Sequence, residues 1–391
     1  MKVLLVNDYG TSTGGAEILM LELRASLRQR GHDARLFTSD ARVGGAPVQS
    51  DVTCFGTLSG ARTLLQVANP PAARRLRQVI AEFRPDIVHV ELFLTQLSPL
   101  ILDALRDVPV LYHAEWYRVV CPLGTKRLPD GTACSFPWGR ACVANRCIPV
   151  RDFLPLLVQR ALLRRSTNVF DRVVACSNAV RDRLLEAGIG PVQVVWNGVP
   201  ERPPRPSLDS PPIVGVAARL TREKGVDVLI EAFARAQARM PELRLEIYGD
   251  GPERPRLERR VEELRLCGVE FAGHVSRAEL ETRLDRAWIQ VAPSLWQEPF
   301  GLVAAEAMMR GTAVVATRVG GHAEFVQDGR TGMLVEPGDV VALERALFAL
   351  AADRGAAERL GMEGRAFALR HLAQTVFADR IVEVYEEMLG A

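Results

Sequence analysis

Long hydrophobic runs are missing from this 391-residue chain. None approaches the roughly 18 apolar residues that span a bilayer, which excludes a membrane-crossing helix. A charge imbalance is missing too. With 49 basic and 47 acidic side chains the net charge is +2, so there is neither the basic field that holds nucleic acid nor an acidic tail, and no nucleic-acid partner is expected. Lysine is scarce: of the 49 basic side chains only three, Lys2, Lys126 and Lys224, are not arginine. That skew fits GC-rich coding and makes each internal lysine worth inspecting. The opening MKVLLVNDYG has no long apolar stretch followed by a small-residue cleavage site, so it reads as a buried strand rather than a leader. The expectation is a cytoplasmic protein, with peripheral contact at the inner membrane face left open. Seven cysteines, an odd number in such a chain, argue against a disulfide framework.

What is there is a globular composition, 48% hydrophobic and 25% charged, and length for two or three domains. There is also alternation. Residues 3–6 are a short apolar run; after Gly14 and Gly15 a helical pattern covers 18–30, with Gly31 as its cap. Residues 34–38 read as the next strand. Strand, glycine loop, helix and strand make the unit of a parallel sheet. The pattern continues with helices near 72–83 and 96–105, strands at 86–90, 108–112 and 172–175, a helix at 178–187 and a strand at 192–196. Prolines at 200, 203, 204, 206, 211 and 212 then resist helix and interior strand, marking a linker over 201–212. A second series follows. Strands at 213–216, 243–248, 269–271, 289–292, 313–316 and 333–335 alternate with helices at 226–240, 253–266, 301–310 and 340–352. A helix at 372–389 closes the chain. The expected fold class is α/β, with parallel-sheet domains at 1–200 and 213–371 and the last segment, 372–391, packing back on the first. Ligands of open α/β sheets bind beyond the carboxyl ends of the strands, so two hinged sheets would line one cleft.

The strongest chemical signal is the segment 294–310, SLWQEPFGLVAAEAMMR. Pro299 suits a first helical position, which leaves Glu298 in the loop and puts Glu306 two turns into the helix. The amides of Phe300, Gly301, Leu302 and Val303 would then open toward an anion. Gly301 would admit a ligand closely, and Glu306 would accept hydrogen bonds from ribose hydroxyls. An ordinary amphipathic helix with two solvated carboxylates is the bland alternative; the neighbouring Pro, Phe and Gly weigh against it. Arg219 and Lys224 follow a buried strand directly, where two cations can neutralise a departing diphosphate. Surface charges beside a helix cap are the alternative there. Gly249-Asp250-Gly251 is a turn signal after a strand, and Gly14-Gly15 opens the first helix; each is a weaker phosphate or sugar contact. Cys121, Cys134, Cys142 and Cys147 sit with gaps of twelve, seven and four residues. Clustered thiols point to a structural zinc, while the missing Cys-x-x-Cys pairs leave free thiols or a redox pair as the other reading. Residues 151–165 mix leucines with arginines at 151, 160, 164 and 165. Such a helix either lies on an anionic membrane surface or packs with a cationic face.

Taken in order, these pieces resemble family 4 glycosyltransferases of the GT-B architecture: two Rossmann-like parallel-sheet domains facing a central cleft. The resemblance rests on Gly14-Gly15-Ala16-Glu17, Arg84 to His89, Ser177-Asn178 and Asn197-Gly198-Val199. It continues through Arg219 with Lys224-Gly225, Gly249 to Gly251, Glu298 to Glu306 with Pro299-Phe300-Gly301, and Gly320-Gly321 with Glu324 and Gly332. It implies a retaining transferase that needs no metal and takes a nucleotide-sugar donor, UDP- or GDP-linked, on the C-terminal domain. A hydroxyl acceptor (glycan, lipid-linked or small molecule) falls to the N-terminal domain. Arg219 and Lys224 would bind the diphosphate, Glu306 the ribose, and Glu298 the sugar hydroxyls. Gly15 would lie near the donor phosphate or the acceptor. One departure stands out. Aligning Tyr117, Arg118, Cys121 and Pro122 on the family pattern puts Glu115 where a histidine belongs, and His113 two residues earlier. On a strand both face one way, so either fits the role. A nucleotide-sugar epimerase of the same fold, or a non-catalytic binding protein, remains as the rival reading.

Overall fold

Parallel strands covered on both faces are mostly apolar, and the first strand has such a centre: Val3, Leu4, Leu5 and Val6 are wholly buried. The computed structural model describes residues 1–60 and 62–390. It divides the chain into two units, Met1–Gly198 with the segment from Gln374 onward, and Val199–Ala373.

The first unit contains β1 (Lys2–Tyr9), α1 (Gly15–Gln29), β2 (Asp33–Ser39), β3 (Val52–Cys54), α2 (Arg62–Leu65) and α3 (Pro70–Phe83). It continues through β4 (Ile87–Val90), β5 (Val110–Ala114), α4 (Arg140–Ala144), α5 (Val150–Ser166), β6 (Arg172–Ala175), α6 (Asn178–Glu186) and β7 (Val192–Val194). Its seven strands are ordered β3-β2-β1-β4-β5-β6-β7, and all pairs are parallel. The second unit has β8 (Ile213–Ala217), α7 (Val226–Arg239), β9 (Arg244–Tyr248), α8 (Arg254–Glu263), β10 (Val269–Gly273) and α9 (Arg277–Leu284). After these come β11 (Ile289–Ala292), α10 (Leu302–Arg310), β12 (Ala313–Thr317), α11 (His322–Phe325), β13 (Met333–Val335), α12 (Val340–Ala352) and α13 (Arg354–His371). Its sheet runs β10-β9-β8-β11-β12-β13. Both orders reverse direction beside the first strand of the unit, which opens a crevice at the carboxyl ends of that strand and its neighbour.

The last helix, α14 (Gln374–Leu389), returns to the first unit. There Phe377, Ala378, Ile381, Val384 and Tyr385 complete the core formed by β1, α1 and their neighbours. The proline-rich stretch at the start of the second unit is fastened to it. Leu208 is buried in its core, Trp288 Nε1 donates to Asp209 O (2.7 Å), and Arg202 pairs with Asp285 (2.7 Å).

Some expected elements differ. The helix expected over 96–105 is a 3-10 turn at Pro99–Ala104, entered through Ser98 in the left-handed region (φ 68°). Pro299 does not open a helix. Gly301 (φ 100°) breaks the backbone between them, and α10 starts at Leu302. β3, α2, α4, α9, α11 and α13 are additional to the expected elements.

Candidate active site

In the second unit the expected residues gather at the ends of β8 and β11. Lys224 sits in a short 3-10 turn after β8. Its Nζ lies 2.9 Å from both carboxylate oxygens of Glu298. Ser294 Oγ and Trp296 Nε1 each donate to Glu298 Oε2 at 2.8 Å, and Lys224 Nζ stands 5.4 Å above the Trp296 ring. Burial pushes the Glu298 carboxyl up, but Lys224, then His322, outweigh it and hold the group at about 2. Glu298 is therefore a fixed anion, with its hydrogen bonds aimed by three partners. Arg219, on the same loop after β8 as Lys224, is exposed and forms no ion pair among the described residues.

The glycines of this loop are there for closeness. A Cβ on Gly301 would stand 2.2 Å from the His322 ring, one on Gly225 would meet Pro293 O at 2.0 Å, and one on Gly320 would strike Glu298 O at 1.9 Å. The loop before α10, the start of α11 and the turn after β8 are thus pressed together. Gly321 N donates to Glu298 O (2.9 Å), and Gly320 N to Gln297 Oε1 (2.9 Å). Backbone pairing in α10 begins with Ala304, which donates to Gly301 O (3.0 Å). The amides of Leu302 and Val303 open the helix ahead of it. Phe300 is buried and packs on Phe325, ring centroids 5.1 Å apart. Burial pushes the His322 imidazole down to about 4, so it is neutral at pH 7.

Glu306 lies on α10, where Arg277 Nη2 reaches its Oε1 at 3.1 Å. Burial raises its pKa against the pull of Arg277, Arg310 and Arg202. Gly249 is packed tightly against backbone. Its amide is spent on Gly273 O (2.7 Å), and a Cβ there would meet Ala218 O at 2.0 Å.

The first unit holds the remaining expected residues. Gly14 and Gly15 open α1, with the Glu17 carboxylate folded over Gly14. His113 and Glu115 face one way from the end of β5, as a two-residue step demands. His113 Nε2 is 2.9 Å from Glu115 Oε1, and Asn197 Nδ2 donates to Glu115 Oε2 (2.5 Å). Behind them His89 Nδ1 meets Tyr385 OH at 2.6 Å, and the His89 and His113 rings are 5.4 Å apart. Burial, then the His113 charge, push His89 well down.

Two acids escaped the sequence reading. Glu91, just past β4, is 2% exposed, and neither carboxylate oxygen has a hydrogen-bond partner among the described residues. Burial and the nearby Glu115 charge push it well above the usual carboxylate range. Asp8 is wholly buried and accepts from the amides of Thr95, Gln96 and Leu97 at 2.7–2.9 Å. The signal available was a carboxylate at the end of an apolar run: Glu91 directly follows β4, and Asp8 is the next-to-last residue of β1.

The seven cysteines are thiols, not disulfides. Cys121 is buried, and Cys134, Cys142 and Cys147 are partly exposed. Among the described residues no three His, Cys, Asp or Glu side chains are grouped to hold a metal ion.

The family model described as "Glycosyltransferase Family 4" matches residues 13–202, and that described as "Glycosyl transferases group 1" matches residues 200–367. An alpha-maltose-1-phosphate synthase from Mycobacterium tuberculosis is 30% identical over 98% of both chains. The chain belongs to glycosyltransferase family 4. This family 4 chain is also 30% identical to a glycogen synthase of M. tuberculosis, over 72% of its own length and 64% of the synthase. HepE from Anabaena, solved in complex with UDP-glucose, shares the fold with a TM-score of 0.69 at 21% identity, over 99% of this chain and 100% of that one. The two six- and seven-stranded parallel sheets are accordingly the GT-B architecture.

Proposed function

We propose that this glycosyltransferase moves a sugar, with retention, from a UDP- or GDP-sugar to the hydroxyl of a glycan, a lipid-linked glycan or a small molecule, without a metal. The observation that carries the reading is the Lys224–Glu298 pair, 2.9 Å apart at the opening of α10, with the exposed Arg219 on the same loop as Lys224. Charge of both signs is fixed at one spot, the arrangement that suits a diphosphate joined to a polyhydroxyl sugar. Arg219, Lys224 and the amides of Leu302 and Val303 bind the diphosphate. Glu298 accepts from sugar hydroxyls. Glu306 accepts from the ribose, which takes the place of Arg277.

As the bond from the anomeric carbon to the phosphate oxygen breaks, negative charge grows on the diphosphate, and these cations and amides stabilise it without reorganising. The acceptor oxygen bonds to the anomeric carbon on the face the diphosphate leaves, and its proton passes to the departing phosphate oxygen. No protein nucleophile takes part. The first unit is assigned the acceptor, with the His113–Glu115 pair, Glu91 and the Gly14-Gly15 opening of α1 offering polar contacts. A nucleotide-sugar donor places the reaction in the cytoplasm.

A thermal-shift panel of nucleotide sugars and free nucleoside diphosphates tests this. A ligand present at about 100 times its Kd stabilises the folded chain by about 2.7 kcal/mol. One donor should raise the Tm of the wild type and fail with Arg219→Ala and Glu306→Ala. Glu298→Gln should lower turnover by about 10²–10³-fold. The donor assignment falls if no nucleotide shifts the wild type at millimolar concentration.

A further inference from the structure

The helix α5 is packed on one face and apolar on the other. Its inward face, with Leu156, Gln159, Leu163 and Ser166, is buried. Leu156 joins Trp138 and Ile148 in a small core on which Cys142, Val143 and Phe153 also pack. The outward face repeats Val150, Leu154 and Val158 at four-residue steps, and these are 75%, 69% and 43% exposed. Ala161 continues the exposed face. At about 100° per residue the four occupy a sector of about 80°. Arg151 borders that sector on one side, Arg164 borders it on the other, and Arg165 lies within it at the C-terminal end. All three are exposed. Leu123 and Phe136, in the loop ahead of the helix, are also exposed.

A surface helix of a globular protein turns charge outward. A contiguous apolar stripe on that side marks a surface that something covers, and the charge around the stripe says what. Residues 121–165 hold eight basic and two acidic side chains, a net charge of +6, in a chain whose total is +2. The cationic excess of the whole molecule therefore sits in this body. A second copy would set this surplus against itself. An anionic bilayer offers both what the stripe lacks, an apolar interior, and what the arginines lack, a sheet of phosphates.

We propose that the outer face of α5 docks on an anionic phospholipid bilayer. Val150, Leu154 and Val158 enter the boundary between headgroups and acyl chains, and Arg151, Arg164 and Arg165 engage the phosphates. This deepens the transferase reading and rests on it in one respect: a membrane-docked transferase takes a lipid-borne acceptor.

Flotation with phosphatidylcholine vesicles, with and without phosphatidylglycerol, is the test. The wild type should float with the anionic vesicles, stay behind with phosphatidylcholine alone, and release in high salt. Combining Leu154→Glu with Val158→Glu should cut partitioning by on the order of a hundredfold. Reversing Arg151, Arg164 and Arg165 to Glu should do the same. Both variants change exposed side chains and should keep the wild-type Tm and its nucleotide-induced shift. The proposal is overturned if the wild type ignores anionic vesicles or floats equally with both kinds. It is also overturned if the wild type is a dimer that Leu154→Glu turns into a monomer. A chain that binds nucleotide but not vesicles removes the docking face alone; one that floats but binds no nucleotide keeps the docking face and removes the transferase reading.

Discussion

At the scale of single residues, the candidate site is held by groups that resist protonation. His322, at about 4, and Glu298, at about 2, both sit below their ordinary values of 6.5 and 4.5. Between pH 6.5 and 4 the unfolded chain binds a proton at His322 that the folded chain refuses, so stability falls as pH falls through that window. Between 4.5 and 2 Glu298 does the same. A depression of this size corresponds to about 3 kcal/mol, and the two groups interact, so their contributions do not simply add. Denaturant titrations should show the wild type losing about 2–3 kcal/mol between pH 6.5 and 4 that His322→Gln does not lose. An equal slope in both proteins would refute the assignment. Glu298 and Lys224 were legible in the sequence because a Glu-Pro-Phe-Gly loop and a lone lysine after a strand are uncommon surroundings. Glu91 was not. A carboxylate just past an apolar strand looks like the first residue of a solvated loop, and only three-dimensional packing shows that both its oxygens are buried.

Among the elements, the strands were the most legible, because parallel strands buried on both faces are continuous apolar runs. The helix α13 was the least legible. It is polar over much of its length and carries Gly355, Gly361 and Gly364, which read as breakers. Packing explains two of them. A Cβ on Gly361 would stand 2.2 Å from Gly311 O, and one on Gly364 would stand 2.7 Å from Thr331 O. These positions let the helix approach backbone directly. In an exposed helix Gly→Ala gains up to about 1 kcal/mol, and here the sign should invert. Gly361→Ala should lower Tm, at a cost of about 1–3 kcal/mol. Gly355→Ala, whose Cβ meets only the tips of Arg359 and Asp353 at 3.1 Å and beyond, should leave Tm unchanged or raise it. Calorimetry on the two variants decides between packing and propensity. Arg310 offers a second check within the same unit. It is 1% exposed and reaches Gln290 Oε1 and Glu281 Oε2, each at 2.7 Å. Arg310→Ala should cost about 3 kcal/mol by leaving those acceptors without their cation.

At the scale of the whole molecule, the core of the first unit is drawn from both ends of the sequence. Phe377, Ile381, Val384 and Tyr385 are almost wholly buried against α1 and the first sheet. Burial of such side chains contributes about 1.5–3 kcal/mol each, which together approaches the 5–15 kcal/mol of a typical domain. A chain stopped after Ala373 should therefore lose the thermal transition of the first unit while keeping that of the second, as read by calorimetry. Retention of both transitions would show that α14 is dispensable. The same arrangement sets an order of events during synthesis. The first unit is interrupted by the 175 residues of Val199–Ala373. At about 5–20 residues per second, its missing helix leaves the ribosome roughly 10–35 s after the rest of its sheet. For that interval an apolar groove the length of α14 stands open on the nascent chain while the second unit, continuous in sequence, completes itself. The first part made is thus the last part finished, and the interval in which a chaperone has most to cover is written into the order of the chain.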